Sequence, residues 1–426
     1  MKTLILGAGV SGVSAARLAC TSGDSVSVYD RSSKATIPLR DRGYAVHSGM
    51  WTDLLLRDIE LVVVSPGFPE HSDPVRRSIE TGIEVISELE FGIRQLVVPY
   101  VAVTGTNGKT TATTAIAEML NASGISAVTA GNIGLPICDL GAEPAEVVVL
   151  EASSFQLRFV DRFHPVAAGI TNVAADHLDW HGTVGAYAAA KARVFENMSG
   201  DELLAYDADD EGACQLAGLA PCRTVAVSGT SVPPDGIGPD AGSLVIGGRR
   251  LALSTTDPSF VADLGISAAV ALAVGATDAG VAAVLRSFRS GAHRRRTVGT
   301  AHGIRWIDDS KATNPHAARA AAASYERVVL LAGGRNKDLD LSNIAPDSVR
   351  HVVAFGESAS DVASGYDGPI SVVDGLDAAV AAASQIATSG DTVLLAPGCA
   401  SFDEFESYAA RGDRFAELVA EVEASK

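Results

Sequence analysis

Thr104-Gly-Thr-Asn-Gly-Lys-Thr-Thr111 follows the apolar run Tyr100 to Val103 and leads into a helical stretch, Ala112 to Leu120. A buried strand that ends in a glycine-rich turn and opens a helix is a phosphate cradle, because unpaired backbone N–H groups and the helix N-terminus face the anion. On this reading Gly105, Thr106, Asn107, Gly108 and Thr111 wrap the phosphates. Lys109 carries positive charge to the outer phosphates, and the Thr110 hydroxyl serves Mg²⁺. Only Thr106 and Asn107 separate the two glycines, so the loop is tighter than the usual Gly-x4-Gly-Lys-Ser/Thr.

Further chemistry-bearing groups sit where apolar runs end. Val147 to Leu150 delivers Glu151-Ala-Ser-Ser-Phe-Gln156, and Ala167 to Ile170 delivers Thr171-Asn172. Asp176-His-Leu-Asp-Trp-His181 reads either as a capped helix start or, with Glu151, as a hard, oxygen-rich Mg²⁺ site. Zinc is disfavoured, since no third soft ligand lies at a suitable spacing. Lys191 reads locally as a solvated lysine on an Ala-rich helix. The loop Asp308 to Asn314 holds two acids, a lysine and two hydroxyls, which suits a phosphate and an ammonium together or simply an exposed polar loop. Gly333-Gly-Arg-Asn-Lys337 and Pro397-Gly-Cys-Ala-Ser-Phe-Asp403 also end apolar runs, the place where parallel sheets bind ligands. Cys399 reads as a small buried thiol, with no histidine fixed beside it in sequence. At the N-terminus, Gly7-x-Gly9-x-x-Gly12 with Asp30 fits a dinucleotide fingerprint, and fits a nucleotide-sugar diphosphate equally well.

The elements that must position these groups alternate strand and helix along 426 residues, a length suited to about three domains. Residues 2–6, 25–29, 61–64 and 83–86 read as strands of a first α/β unit. A Gly/Pro-rich excursion of hairpins covers 228–254, and an Ala-rich helical segment, 265–287, closes the second unit. Buried strands at 327–331, 351–355 and 392–396 mark a third. The fold class is therefore α/β with three domains: Rossmann-like (1–94), P-loop-type ATPase (95–293) and Rossmann-like again (294–426). A net charge of −18 argues against nucleic acid or an acidic membrane surface as partner. Five cysteines (Cys20, Cys138, Cys214, Cys222, Cys399) without a CxxC pair suit a reducing cytoplasm. No run approaches the roughly 20 apolar residues of a membrane span.

Taken in order, Gly105 to Thr110, Glu151 to Gln156, Asn172 to His177, Asp309 to Asn314 and Gly398 to Asp403 resemble the Mur ligases of peptidoglycan synthesis. The last two motifs, with Arg411-Gly412, look like the members that add D-glutamate to UDP-N-acetylmuramoyl-L-alanine. The resemblance implies ATP-driven amide formation through an acyl phosphate, with ATP and Mg²⁺ on the central domain. Lys109, Glu151, His177 and Lys191 are its implied catalytic residues. Thr110, Glu151, His177 and Lys191, the last as a carbamate, would hold metal, and Arg294 and Asp309 would lie near the nucleotide. Val10, Ser11, Asp30, Arg31, Gly67, Asn132, Ser153 and Gln156 would meet the UDP substrate, and Lys311, Thr313, Lys337, Ser401 and Tyr408 the amino acid. A monomer is expected. Three departures stand out: Leu264-Gly-Ile-Ser267 replaces the Asn-x-x-Asn found near adenine, Arg335-Asn336-Lys337 replaces a smaller, often Gly-containing loop, and Arg295 and Arg296 stand where the pattern is usually less basic.

Overall fold

The computed structural model describes residues 1–142 and 145–424. Its first sheet is parallel, formed by β1 (Lys2–Leu6), β2 (Ser25–Asp30), β3 (Ala45–Ser48), β4 (Leu61–Val64) and β5 (Glu84–Ser87) in the order β3-β2-β1-β4-β5. The second, also parallel, contains β6 (Tyr100–Thr104), β7 (Ala127–Gly131), β8 (Val147–Glu151), β9 (Ala167–Ile170), β10 (Gly200–Asp207) and β11 (Cys222–Val227), ordered β11-β10-β9-β6-β8-β7. The hairpin excursion is a three-stranded antiparallel sheet of β12 (Gly238–Asp240), β13 (Ser243–Ile246) and β14 (Arg249–Ala252). The last sheet runs β15-β16-β20-β17-β18-β19, from β15 (Arg296–Ala301), β16 (Ile304–Asp308), β17 (Val328–Gly333), β18 (Val349–Phe355), β19 (Ile370–Val373) and β20 (Thr392–Gly398). Only β15 is antiparallel there.

Central strands are apolar along most of their length because helices cover both faces of each parallel sheet. All five residues of β8 are buried, as are all of β4 and β17. Strand direction reverses its winding at β1 in the first sheet, at β6 in the second and at β20 in the last. A crevice opens at the carboxyl ends of the strands at such a switch point. The glycine turn after β1, the loop after β6 and the loop after β20 are therefore placed by topology.

Two compact units emerge: residues 1–173 with 185–288, and residues 174–184 with 289 onward. The short stretch Ala174–Val184, which carries Asp176 and His177, groups with the last sheet. The expected single helical segment 265–287 is two helices, Pro258–Ala273 and Asp278–Ser287. The break falls at Gly275, and the Thr277 hydroxyl accepts from the Gly280 N–H to cap the second helix.

At the opposite, amino-terminal end of the last sheet, Asp391 is buried and collects several donors. Arg327 Nε lies at 2.9 Å, Arg350 Nε at 3.0 Å, and the Thr388 N–H and hydroxyl at 2.7 and 3.0 Å. Burial alone would raise its pKa, but the bonds from Arg350, Thr388 and Arg327 outweigh burial and hold it down at about 2. A depressed carboxylate pKa stabilises the fold above the unfolded value near 3.8, and that contribution disappears as pH falls towards 2. Asp391→Ala removes the carboxylate that both guanidinium groups share. We expect it to cost about 2 kcal/mol at pH 7 and less at pH 3, measured by urea unfolding at the two pH values.

Candidate active site

In the first unit, the loop after β6 is built from the outside inwards. The Thr106 N–H donates to the Asn172 carbonyl at 2.8 Å, and the Asn107 N–H donates to Asn172 Oδ1 at 2.8 Å. Thr171 Oγ1 and Asn172 Nδ2 both donate to the Asn107 carbonyl. Thr171 and Asn172 follow β9, so the neighbouring strand holds the loop in register. The two glycines leave no alternative residue. Gly105 has φ +151° and Gly108 φ +81°, and a Cβ would come within 1.9 Å of Thr171 Oγ1 at the first and 2.2 Å of Asp263 Oδ1 at the second.

Lys109 opens the helix Lys109–Ala122. Its ammonium donates to the Gly105 and Thr106 carbonyls, each at 2.9 Å. Lys191 is not the solvated side chain that its local sequence suggests. It is 1 % exposed, donates to the same Gly105 carbonyl at 2.6 Å, and lies 4.4 Å from the centre of the Tyr187 ring. The Tyr187 hydroxyl in turn donates to Thr106 Oγ1 at 3.1 Å. Two cations thus converge on one loop carbonyl, and an aromatic face supports the buried one.

Glu151 ends β8, the strand beside β6, and is 2 % exposed. Asn132 Nδ2 donates to its Oε1 at 2.7 Å, while its Oε2 has no hydrogen-bond partner among the described residues. A buried carboxylate oxygen left over beside a phosphate-type loop, with the Thr110 hydroxyl at the helix start, is the hard-oxygen donor set that Mg²⁺ takes. Ser153 and Gln156 are buried and satisfy each other in a capping box: the Ser153 N–H and hydroxyl donate to Gln156 Oε1, and the Gln156 N–H returns to Ser153 Oγ. Near the first sheet, Val10, Ser11, Asp30, Arg31 and Gly67 line one cleft of about 490 Å³. Asp30 is already engaged there, accepting from the Ala8 and Ser32 N–H groups at 2.9 and 2.8 Å.

In the second unit, Asp176 is the hub. It is 5 % exposed; its Oδ1 accepts from the Lys337 ammonium at 3.0 Å and from the His177 N–H at 2.9 Å, and its Oδ2 from Asn314 Nδ2 at 3.1 Å. Burial pushes its pKa up, and Lys337 and His177 outweigh that and keep it below the usual value. His177 itself adopts φ +53° at a short helix start. Asp309 follows β16 and is buried, which raises its carboxyl to about 6 against the opposing charges of Arg295 and Arg294. Lys311 holds its ammonium 5.1 Å from the Tyr408 ring centre, and Ser401 is buried. Cys399 is a buried thiol pushed up to about 11 by desolvation, as its sequence context suggested.

Residues 1–87 match the Mur ligase MurD-like N-terminal domain, 103–232 the Mur ligase middle domain, and 293–399 the Mur ligase glutamate ligase domain. A UDP-N-acetylmuramoylalanine–D-glutamate ligase of Frankia casuarinae is 42 % identical over 98 % of this chain and 94 % of its own. One from Desulfosudis oleivorans is 36 % identical over 98 % and 96 %. The chain belongs to the family of UDP-N-acetylmuramoylalanine–D-glutamate ligases, within the Mur ligases. Among solved structures, a pseudomurein peptide ligase type C from Methanothermus fervidus aligns with TM-score 0.64 over 99 % of this chain and all of that one, at 16 % identity. The UDP-N-acetylmuramate-alanine ligase of Thermotoga maritima aligns with TM-score 0.58 over 99 % of both chains, at 18 % identity. At those identities the likeness is one of fold.

In this Mur ligase, Leu264 and Ser267 are committed to packing. Leu264 is fully buried, and the Ser267 hydroxyl donates to the Asp263 and Ala112 carbonyls, locking the helix Pro258–Ala273 onto the helix that follows the β6 loop. Four residues outside the expected contact set organise the site: Asn172, Asp176 and Arg411, which enter the sequence reading only as members of motifs, and Tyr187, which it does not single out. Arg411 is fully buried, and its guanidinium donates to Ser310 Oγ and to the Ser310, Cys399 and Ala400 carbonyls at 2.9–3.3 Å. It joins the loop after β16 to the loop after β20, and a backbone pair between Arg335 and Ala400 joins the latter to the loop after β17. A signal was available: Arg411 falls on the buried stripe of the helix Tyr408–Ala424 with Phe415, Leu418 and Val419. Arg411→Leu takes the guanidinium donor from the Ser310 and Cys399 carbonyls and leaves the Ala400 carbonyl with only the Arg335 N–H. We expect a loss of roughly 3 kcal/mol, read as a lower denaturation temperature by calorimetry, with Arg411→Lys intermediate.

Proposed function

We propose that this Mur ligase joins D-glutamate to UDP-N-acetylmuramoyl-L-alanine at the expense of ATP, in the cytoplasm and as a monomer. The observation that carries the reading is the β6 loop: a glycine-turned backbone with two converging ammonium groups beside a buried carboxylate, one oxygen of which has no hydrogen-bond partner among the described residues. The family membership supplies the substrate class. Residues 1–94 are assigned to the UDP substrate, 95–293 to ATP and 294–426 to the amino acid.

The alanine carboxylate attacks the γ-phosphorus of ATP, forming a C–O–P bond as ADP leaves with the electron pair of the broken P–O bond. Lys109 and the loop N–H groups hold the phosphates in line and stabilise the negative charge spread over the transferring group. The amine of D-glutamate then attacks the acyl carbon, and the tetrahedral adduct collapses to the amide with loss of inorganic phosphate and a proton. Thr110, Glu151 and His177 are the residues we assign to Mg²⁺, with Lys191 added if its amine is carbamylated. Bound Mg²⁺ would neutralise phosphate charge. Asp309 and Arg294 are assigned to the nucleotide. Lys311, Thr313, Lys337, Ser401 and Tyr408 are assigned to the amino acid, whose two carboxylates suit cations and hydroxyls. Asn132, whose amide donates to Glu151, is assigned to the UDP substrate together with Ser153, Gln156 and the cleft lined by Val10, Ser11, Asp30, Arg31 and Gly67.

Phosphate release from ATP should require both UDP-N-acetylmuramoyl-L-alanine and D-glutamate, with L-glutamate inactive. Lys109→Ala should lower the rate at least about a hundredfold. Release without the amino acid, or indifference to Lys109→Ala, would sink the reading.

A further inference from the structure

The loop after β17 is held together by one side chain. Asn336 Oδ1 accepts from the Lys337 N–H at 2.7 Å and from the Leu339 N–H at 3.0 Å. Its Nδ2 donates to the Leu339 carbonyl at 2.9 Å, and its own N–H donates to Ser358 Oγ at 3.0 Å. These bonds close residues 336–339 into a ring, within which Asp338 takes φ +58°. Ser358 is buried, so the ring is moored to the body of the sheet. Lys337 is the second residue of that ring, and its ammonium meets the buried Asp176 carboxylate at 3.0 Å.

Asn336 is half-buried and spends every polar atom of its amide on this loop, which a residue retained only for solubility would not do. A lysine side chain has four rotatable bonds, so delivering its ammonium to one carboxylate oxygen requires a fixed backbone beneath it. A smaller residue at 336 would leave the Lys337 and Leu339 N–H groups without that acceptor and free the ring to open.

We propose that Asn336 is a positioning residue, which sets the Lys337 ammonium on Asp176 and thereby tunes affinity for the incoming amino acid without touching it. The link to the amino acid rests on the function proposed above; the link to Lys337 does not.

The test uses the full chain and two readouts. In the ligase assay, Asn336→Ala should raise KM for D-glutamate roughly tenfold, with KM for ATP and for the UDP substrate within about twofold of wild type. Asn336→Asp, which keeps the acceptor for both N–H groups but turns a carboxylate oxygen towards the Leu339 carbonyl, should recover part of the loss. Independently, the ¹⁵N signal of the Lys337 ammonium, assigned by its disappearance in Lys337→Gln, should shift in Asn336→Ala and stay near the wild-type position in Asn336→Asp. An unchanged ammonium signal in Asn336→Ala overturns the proposal. So does a rise in all three KM values together, or a drop in thermal midpoint that Asn336→Asp shares in full. A wild-type chain that makes no product defeats the ligase reading instead, and the ammonium signal then still decides what Asn336 does.

Discussion

A single backbone carbonyl, that of Gly105, accepts from both Lys109 and Lys191. Two unit charges about 5 Å apart repel by about 3 kcal/mol at an effective dielectric of about 20, so this arrangement has a cost that the surroundings must offset. Part of the offset comes from the Tyr187 ring beneath Lys191 and the second carbonyl, Thr106, beneath Lys109. An anion seated in the loop would be attracted by both cations at once. The loop can hold this geometry only because Asn172 and Thr171 clamp it from the next strand. A chain carrying a net charge of −18 thus keeps a local concentration of positive charge where a phosphate is expected.

The second unit solves a related problem with Arg411. A fully buried guanidinium is normally matched to a carboxylate, but here its hydrogen-bond partners are a hydroxyl and three backbone carbonyls. Burial lowers its pKa to about 10, with the carboxylates of Asp403, Asp308 and Glu404 opposing the shift, so the group stays cationic near neutrality. Carbonyl solvation leaves the acids of this unit available for other partners. Asp176 is committed to Lys337 and Asn314, and Asp308 to the His293 ring at 2.6 Å. Cations inside, stitched to backbone, fix the loops that the last sheet presents.

The central strands were legible because their environment is extreme. Leu61–Val64 and Val147–Leu150 are buried on both faces, so selection for apolar residues is uninterrupted there. The strands that the sequence reading did not single out are mainly the sheet edges: Ala45–Ser48, Ala127–Gly131, Cys222–Val227, Arg296–Ala301 and Ile370–Val373. Each has one side open to solvent or loop, and its residues alternate or mix in polarity, as in the partly exposed Cys222–Val227. Gly200–Asp207 is interior, but it begins with two acids that mask its apolar centre. Motif residues such as Glu151 at a strand end and Lys109 at a helix start are equally legible, because local spacing encodes a strand–turn–helix loop.

By itself, then, the sequence determined the alternation of strands and helices, the loop that turns on Gly105 and Gly108, and the family. Those properties are local in the chain or carried by motifs a few residues long. Only the tertiary structure decided that Lys191 is buried on Gly105, that Asp176 belongs with Lys337 and Asn314, and that Arg411 ties Ser310 to Cys399 and Ala400. In each case the partners lie between 11 and 161 residues apart in sequence. Hydrogen bonds and burial depend on distance in space, and no spacing along the chain records which side chains the sheets will bring together.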